Sequence, residues 1–114
     1  MEHFQIAVPE ASFDVLASST RSQAATMTLS PGETTGGPKN EHEDSDQWMF
    51  VLAGRGRARV GLTEVLLEPS TLLLIERGET HEITNIGDEP LRSINFYAPP
   101  AYPHPSDSTT EEDS

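Results

Sequence analysis

The sequence predicts an all-β protein, either a small barrel or a two-sheet jelly roll. Turn-forming residues recur about every eight to twelve positions, a spacing typical of such folds. Nine prolines and eight glycines are spread along the 114 residues, and the segments between them are too short for long helices. No apolar heptad or helical periodicity interrupts this pattern. A chain of this length forms one hydrophobic core, so a single domain is expected.

Each predicted strand is a short segment that ends at a turn residue, and most of these segments are rich in apolar or β-branched side chains. In chain order the predicted strands are 4–8, 13–17, 24–29, 40–42, 47–53, 57–60, 64–67, 71–75, 81–85 and 91–97. Gly36-Gly37-Pro38 predicts a break, and Gly54-Arg55-Gly56 predicts a hairpin. We therefore expect a barrel over residues 1–98. Residues 99–114 should form a proline-containing strap and an acidic tail.

The strongest predicted strand is apolar on both faces. Met49 and Val51 lie on one face, and Trp48, Phe50 and Leu52 lie on the other. A strand of this kind should be covered on both sides, either by a second sheet or by a partner subunit. We therefore expect a homodimer.

Composition excludes several classes of function. The net charge of −12 argues against nucleic acid or an anionic membrane as partner, because both require a basic face. No segment is long and apolar enough to span a bilayer, and the N-terminus lacks a signal-peptide pattern, so a cytoplasmic location is expected. With no cysteine in the chain, any metal must be held by nitrogen and oxygen ligands.

Two histidines lie among the predicted strands, His42 and His81. Asn40 and His42 would share one face of a strand, and Gln47 opens the next strand. If a barrel brought these side chains together, they would form a nitrogen–oxygen site suited to Zn, Fe, Mn, Ni or Cu. The alternative is that both histidines are polar strand residues satisfied by hydrogen bonds, and spacing alone favours that alternative.

Two stretches of the chain resemble the motifs of cupins. The second cupin motif, G-x5-P-x-G-x2-H-x3-N, is matched by Ser70-x5-Glu76-x-Gly78-x2-His81-x3-Asn85, with Ser70 and Glu76 replacing the glycine and the proline. The resemblance extends over about residues 24 to 97. The chain is especially similar to small cupins of tetracenomycin-type polyketide synthesis, and the resemblance implies a cupin β-barrel.

The first cupin motif, G-x5-H-x-H-x3-4-E-x6-G, ends here at Gln47-x6-Gly54, so Gln47 occupies the glutamate position. Counting back from Gln47 places His42 at the second histidine and Asn40 at the first. A second register would place His42 first and Asp44 second, one residue short of the pattern.

The resemblance implies a divalent metal, either Zn, Mn, Fe or Ni. Its ligands would be Asn40, His42, Gln47 and His81, with Asp44 in reserve. Two of these ligands are uncharged amides, so the ion should be held less tightly than by three histidines and a glutamate.

The resemblance also implies a function. The leading hypothesis is a metal-assisted enzyme that promotes cyclisation, isomerisation or oxygenation of a small aromatic or polyketide-like molecule in the barrel. Glu76, in the turn before His81, is the candidate acid or base. A competing hypothesis is a non-catalytic small-molecule-binding or accessory module with a degenerate metal site, and a third is a purely structural dimeric partner.

Overall fold

The computed structural model describes residues 1–6, 13–37 and 44–103. This part of the chain forms nine strands, and none of it is helical, which confirms the all-β prediction. The strands are β1 (Phe13–Ser18), β2 (Gln23–Leu29), β3 (Thr34–Gly37), β4 (Asp46–Ala53), β5 (Gly56–Val60), β6 (Thr63–Leu67), β7 (Leu72–Ile75), β8 (His81–Asn85) and β9 (Leu91–Ala98). No helix able to cross a membrane occurs within these described ranges.

The strands form two antiparallel sheets that face each other. One sheet has five strands in the order β1-β2-β9-β4-β7, and the other has four in the order β3-β8-β5-β6. Residues two apart on a strand point to the same face, so each sheet turns one set of side chains inward. On β4, for example, every second residue from Gln47 to Val51 is buried. The result is a jelly roll with its core between the sheets.

The hydrophobic core fills the middle of the barrel and one of its ends. It contains residues from both sheets, namely Met27, Leu29, Met49, Val51, Ala58, Leu67, Ile83 and Leu91. Burial of these apolar side chains is the dominant favourable contribution to folding. The core also fixes which residues of each strand point inward, because a register slip of one residue would move the whole apolar set to solvent.

The two strands predicted between residues 13 and 29, and all of those predicted from residue 47 onward, occur in the structure. Their ends differ from the predicted ends by at most one residue. The predicted strand 4–8 is wrong for residues 4–6, which are described and form no strand. The remainder of that strand, and the predicted strand 40–42, lie outside the described residues.

The break predicted at Gly36-Gly37 is instead the end of strand β3. Thr35 pairs with Ile83, and Gly37 pairs with His81. Glycine has a weak intrinsic preference for strands, but pairing with β8 supplies the backbone hydrogen bonds that hold the segment extended. Tertiary pairing therefore overrides local preference at this position.

The segment Gly54-Arg55-Gly56 is not a hairpin, because β4 and β5 belong to different sheets. It carries the chain across the end of the barrel. Gly54 has φ of 89°, and a Cβ at this position would overlap the backbone of Pro90 and Leu91. Glycine is needed both for the left-handed backbone and for the close approach of the two chain segments.

Candidate functional site

Gln47 and His81 lie at the same end of the barrel, on facing sheets. Gln47 on β4 pairs with Ile75, the last residue of β7, and a short turn then leads to His81, the first residue of β8. Both side chains belong to the inward-facing set, and they are only 4% and 5% exposed. Tyr97 lies between Gln23 and Gln47 in the same cross-strand row. We call the end of the barrel formed by Gln23, Gln47, His81 and Tyr97 the polar end.

The amide of Gln47 is hydrogen-bonded on one side only. Its Nε2 donates to Asn95 Oδ1 at 3.0 Å, and Asn95 Nδ2 donates to Ser93 Oγ at 3.1 Å. Gln47 Oε1 is buried and has no hydrogen-bond partner among the described residues. A buried amide oxygen without a partner costs about 1–3 kcal/mol, so its presence requires an explanation.

The imidazole of His81 is held as a neutral base. Its Nδ1 lies 3.4 Å from the backbone carbonyl oxygen of Glu79. Because a carbonyl can only accept, this contact requires the proton on Nδ1 and puts the lone pair on Nε2. Burial lowers the pKa of His81, and the Glu79 carbonyl opposes that shift in part. A neutral imidazole with its lone pair on Nε2 is the form that binds metals.

A cleft of about 850 Å³ opens beside His81 at the rim of the four-stranded sheet. Thr80 and Leu62 contribute to its walls together with an ion pair between Arg59 and Glu64, whose Nη2 and Oε2 are 2.7 Å apart. Gln47 is not among the residues that line it. The cleft therefore gives solvent and small molecules access to one edge of His81 from outside the barrel.

The acidic residues considered as ligands or catalysts lie at the surface of the polar end. Asp44 is exposed, and Glu76 is exposed in the turn before β8. Asp46 Oδ1 accepts a hydrogen bond from the Arg77 backbone N–H at 3.0 Å. Within the described ranges, no three His, Asp or Glu side chains are grouped so that they could hold a metal. These acidic residues therefore provide no anionic ligand inside the barrel.

Two of the four predicted ligands cannot be placed. Asn40 and His42 lie outside the described residues. The described chain on either side of them ends at Gly37, which pairs with His81, and resumes at Asp44, close to Gln47 in sequence. Gln47 and His81 are thus the predicted ligands for which the structure gives a position.

Asn85, the last residue of the second motif, stabilises the opposite end of the barrel. Its Nδ2 donates to the carbonyls of Leu29 at 2.9 Å and Glu89 at 2.8 Å, and its Oδ1 accepts from the Gly87 N–H at 2.8 Å. The side chain is 1% exposed, and its hydrogen bonds join the end of β2 to the loop between β8 and β9. We call the end formed by Asn85 and Leu91 the closed end.

The strap, residues 99–103, is anchored at the polar end. Gln23 Nε2 donates to the Tyr102 carbonyl at 2.6 Å, and its Oε1 accepts from the Tyr102 N–H at 3.0 Å. Ser45 Oγ donates to the Pro99 carbonyl at 2.6 Å. These contacts hold the backbone of the strap across the strand ends next to Gln47.

Two tyrosines and a phenylalanine pack where the strap meets the barrel. The Tyr102 ring lies 5.1 Å from Tyr97 in an edge-to-face arrangement and 4.8 Å from Phe13. Burial raises the pKa of Tyr97, with a further contribution from Tyr102, and burial also raises the pKa of Tyr102. Both hydroxyls therefore stay protonated at neutral pH, so they can donate hydrogen bonds but do not act as bases.

Sequence reasoning did not identify Gln23, Ser93 and Asn95 as part of this end of the barrel. Ser93 and Asn95 are almost completely buried and alternate with outward residues on β9. The indication was available in the predicted strand 91–97, where two polar residues occupy the same face as Leu91 and Tyr97. Polar residues on the core face of a strand are uncommon and point to a hydrogen-bond network or a site.

Comparison with known proteins agrees with the fold described above. The model of the cupin domain family (Cupin_2) matches residues 25–97. The chain belongs to the cupin family. The resemblance to cupins is therefore confirmed, together with the β-barrel that it implied.

This cupin is 35% identical over 77 residues to the tetracenomycin polyketide synthase protein TcmJ of Streptomyces glaucescens, covering 68% of this chain and 50% of TcmJ. It spans about half the length of the curated relatives it matches. The crystal structure of BH2720 from Bacillus halodurans superposes with a TM-score of 0.79 at 27% identity, covering 84% of this chain and 76% of that one. TT1209 from Thermus thermophilus gives 0.70 at 28% identity, covering 76% and 81%.

Proposed function

We propose that this cupin binds a divalent metal ion at the polar end and holds a small aromatic or polyketide-like molecule in its barrel. The observation that carries the proposal is the buried Gln47 Oε1, which has no hydrogen-bond partner within the described part of the chain. A bound cation would satisfy this oxygen. Amide oxygens and imidazole nitrogens are both established metal donors, so Gln47 and His81 fit the ion.

The ligand set would comprise Gln47 Oε1 and His81 Nε2, completed by His42 and Asn40 as the cupin motif implies. Zn, Mn, Fe and Ni are the candidate ions, because a nitrogen–oxygen set accepts each of them. When bound, such an ion supplies Lewis acidity toward a carbonyl or enolate oxygen. The barrel residues would then orient the bound molecule and donate protons to it or accept protons from it.

Cyclisation, isomerisation or oxygenation is the reaction class that we propose for the leading function. The similarity to TcmJ, whose name refers to tetracenomycin polyketide synthesis, supports an aromatic or polyketide-like substrate. Glu76, exposed at the rim before β8, is the proposed acid or base.

A non-catalytic small-molecule-binding or accessory module is the second candidate function. The surface positions of Asp44 and Glu76 favour it, since the described residues then offer no anionic ligand from the barrel interior. A neutral set of imidazoles and amides holds divalent ions weakly. In this case the barrel would bind its ligand without metal, and the cupin would act as a carrier or partner.

Metal content of the untagged protein tests the leading function. Elemental mass spectrometry would be applied to wild type and to His81→Ala, with His3→Ala at the exposed N-terminus as the matched control. We expect about one ion per chain in wild type and in the control, and none in His81→Ala. Absence of metal from wild type, with no uptake of added Zn, Mn, Fe or Ni, overturns the metal proposal. Ligand binding that a chelator leaves unchanged would support the second candidate.

We also propose that the cupin is a homodimer, formed through the outer face of the five-stranded sheet. This outer face carries seven uncharged apolar residues: Trp48, Phe50, Leu52, Leu72, Leu74, Ile94 and Phe96. Trp48 lies between Leu74 and Phe96 in the strand register, so the side chains form one continuous patch. An exposed apolar patch of this kind is uncommon on a monomeric protein and is typical of an interaction site.

A second copy is the partner that fits this outer face. Five of the seven residues, Trp48, Leu52, Leu72, Leu74 and Phe96, are 38% to 58% exposed. At roughly 100 Å² each they offer about 500 Å² per copy, or about 1,000 Å² in a symmetric pair, which reaches the lower bound for a specific interface. The net charge of −12 would repel copies that met at most other surfaces, whereas these seven residues carry no charge.

Light scattering coupled to size exclusion tests the homodimer. Wild type should have twice the chain mass, and Trp48→Lys should have the mass of a single chain, because a buried lysine without a partner would be strongly unfavourable. Leu62→Lys, at a fully exposed turn residue outside the patch, is the control and should remain dimeric. A monomeric wild type overturns the homodimer proposal.

The cytoplasmic location stays a prediction, to be checked by cell fractionation.

A further inference from the structure

The orientation of the Gln47 amide decides whether this position can bind a cation. Only the amide oxygen can act as a ligand, since the NH₂ group has no available lone pair. The oxygen is the atom left without a partner, and the NH₂ group is the one engaged by Asn95. The residue that accepts a hydrogen bond from the NH₂ group therefore determines whether the Gln47 oxygen is left to bind a cation.

Asn95 can engage Gln47 in this way because of where its own amide is held. Asn95 is completely buried on β9, and its ladder neighbours are the apolar residues Ala25 and Met49. Its Nδ2 donates to Ser93 Oγ at 3.1 Å. With Ser93 as the acceptor, Asn95 Oδ1 faces Gln47 in the structure, and a carbonyl oxygen can pair only with the NH₂ side of the Gln47 amide.

We infer that Asn95 is a positioning residue that turns the Gln47 amide oxygen toward a divalent cation in the barrel. This inference rests on the proposed metal-binding function and deepens it. Asn95 does not contact the ion. It acts through Gln47, as the hydrogen-bond partners of metal ligands commonly do, and loss of such a partner lowers metal affinity by about 10–100-fold.

The Ser93 hydroxyl makes this hydrogen-bond relay reversible. A hydroxyl can either donate or accept. In a Gln47→Glu variant the carboxylate would need a donor, and Asn95 could provide its Nδ2 after a half-turn of its amide, while Asn95 Oδ1 accepts from Ser93 Oγ. The same three residues would therefore hold an anionic ligand at position 47, and the added charge should strengthen cation binding.

Co(II) titration of the untagged protein tests the inference, followed by calorimetry and by the visible absorption of the bound ion. Asn95→Leu removes the acceptor and should weaken Co(II) binding by about 10–100-fold and alter the absorption of the remaining complex. Asn95→Asp keeps an acceptor oxygen for the Gln47 NH₂ group and should retain the wild-type spectrum. Gln47→Glu should bind Co(II) more tightly than wild type, and adding Asn95→Leu to it should reverse that gain.

Ser93→Ala provides a second measurement if Asn95→Leu does not fold. It removes the acceptor for Asn95 Nδ2 with little change in volume, so Asn95 can rotate, and Co(II) affinity should fall by a smaller factor. If wild type binds Co(II), and Asn95→Leu (or Ser93→Ala where Asn95→Leu does not fold) binds it equally well with the same spectrum, the inference about Asn95 is overturned while the metal site stands. If wild type takes up no cation at all, the proposed function itself fails.

Discussion

Two buried amides at opposite ends of the barrel, those of Asn85 and Gln47, differ in how completely they are hydrogen-bonded. At the closed end the amide of Asn85 uses both donors and its acceptor within the fold. At the polar end the amide of Gln47 uses a donor and leaves its oxygen without a partner in the described chain. Both side chains are buried in the same small barrel, so burial alone does not explain the difference.

Under the proposed function, the Asn85 amide contributes to stability, whereas the Gln47 amide oxygen is left to bind a cation. A fully satisfied buried amide specifies a single arrangement of the surrounding loops. An amide oxygen without a partner lowers stability unless a ligand compensates for it, and local violations of this kind are concentrated at functional sites. The predictions below separate the two roles by comparing stability with cation binding.

The largest change in stability is expected from Leu91→Ala at the closed end. Leu91 is completely buried in the core, and truncation should lower the free energy of unfolding by about 2–5 kcal/mol through lost burial and a residual cavity. Denaturant unfolding measures this, with Leu62→Ala at an exposed turn as the control. The number of ions bound per folded chain should not change. A loss below about 1 kcal/mol would show that the closed end can repack.

Asn85→Ala should be the next most destabilising change. It removes three hydrogen bonds and leaves the Leu29 carbonyl in particular without its partner, which should cost roughly 3 kcal/mol in total. Thr84→Ala, on the neighbouring outward position with an exposed hydroxyl contact to Thr34, is the matched control and should cost less than about 1 kcal/mol. Equal losses in the two variants would contradict the structural role of Asn85.

Gln47→Leu should change stability little while removing cation binding. The variant loses the hydrogen bond to Asn95 but also removes a buried oxygen without a partner, so the two effects should offset each other to within about 1 kcal/mol. Thermal unfolding and Co(II) titration on the same preparation measure both quantities. A variant as destabilised as Asn85→Ala would mean that Gln47 has a structural role like that of Asn85, and the contrast between the two ends would disappear.

The smallest effect is expected from the protonation of His81. Because burial lowers its pKa in the folded state from the ordinary value of 6.5, the unfolded chain takes up the proton first as pH falls. The stability contributed by neutral His81 is therefore fully present above pH 6.5 and decreases below it, until the folded state is protonated too.

Chemical denaturation at several pH values measures this dependence. The many carboxylates also titrate in acid, so wild type has to be compared with His81→Asn, and only the difference between their curves reports on His81. The free energy of unfolding of wild type, relative to that of His81→Asn, should fall as pH is lowered through the ordinary histidine pKa of 6.5. A difference that is constant with pH would show that the histidine titrates alike in both states.

Much of the fold followed from the pattern of residues along the chain. Periodicity of two and regularly spaced turns predicted the strands of both sheets from β4 onward, because strands buried on one face require alternation. Two predictions that relied on glycines were wrong. Gly36-Gly37 was predicted as a break and forms part of β3, and the Gly54 turn connects two sheets. A glycine permits several backbone paths, and only the surrounding strands choose among them.

The candidate site was predicted in part. Gln47 and His81 follow from the two motifs, and the structure places both at the polar end, buried and inward-facing. Gln23, Ser93 and Asn95 do not belong to any motif, and their importance depends on which side chains lie beside them in space. Asn40, His42 and the role of Glu76 stay predictions.

The order of residues was enough to identify this chain as a β-barrel and a cupin, and to select the candidates for metal binding. Those conclusions depend on local alternation, turn chemistry and motif spacing, which are properties of a linear chain. Only the folded molecule shows that the buried amide of Asn85 makes all of its hydrogen bonds, whereas the oxygen of the Gln47 amide makes none within the described chain. A hydrogen bond between Gln47 and Asn95 joins residues far apart in sequence, and whether an amide oxygen keeps or lacks a partner is settled by packing alone.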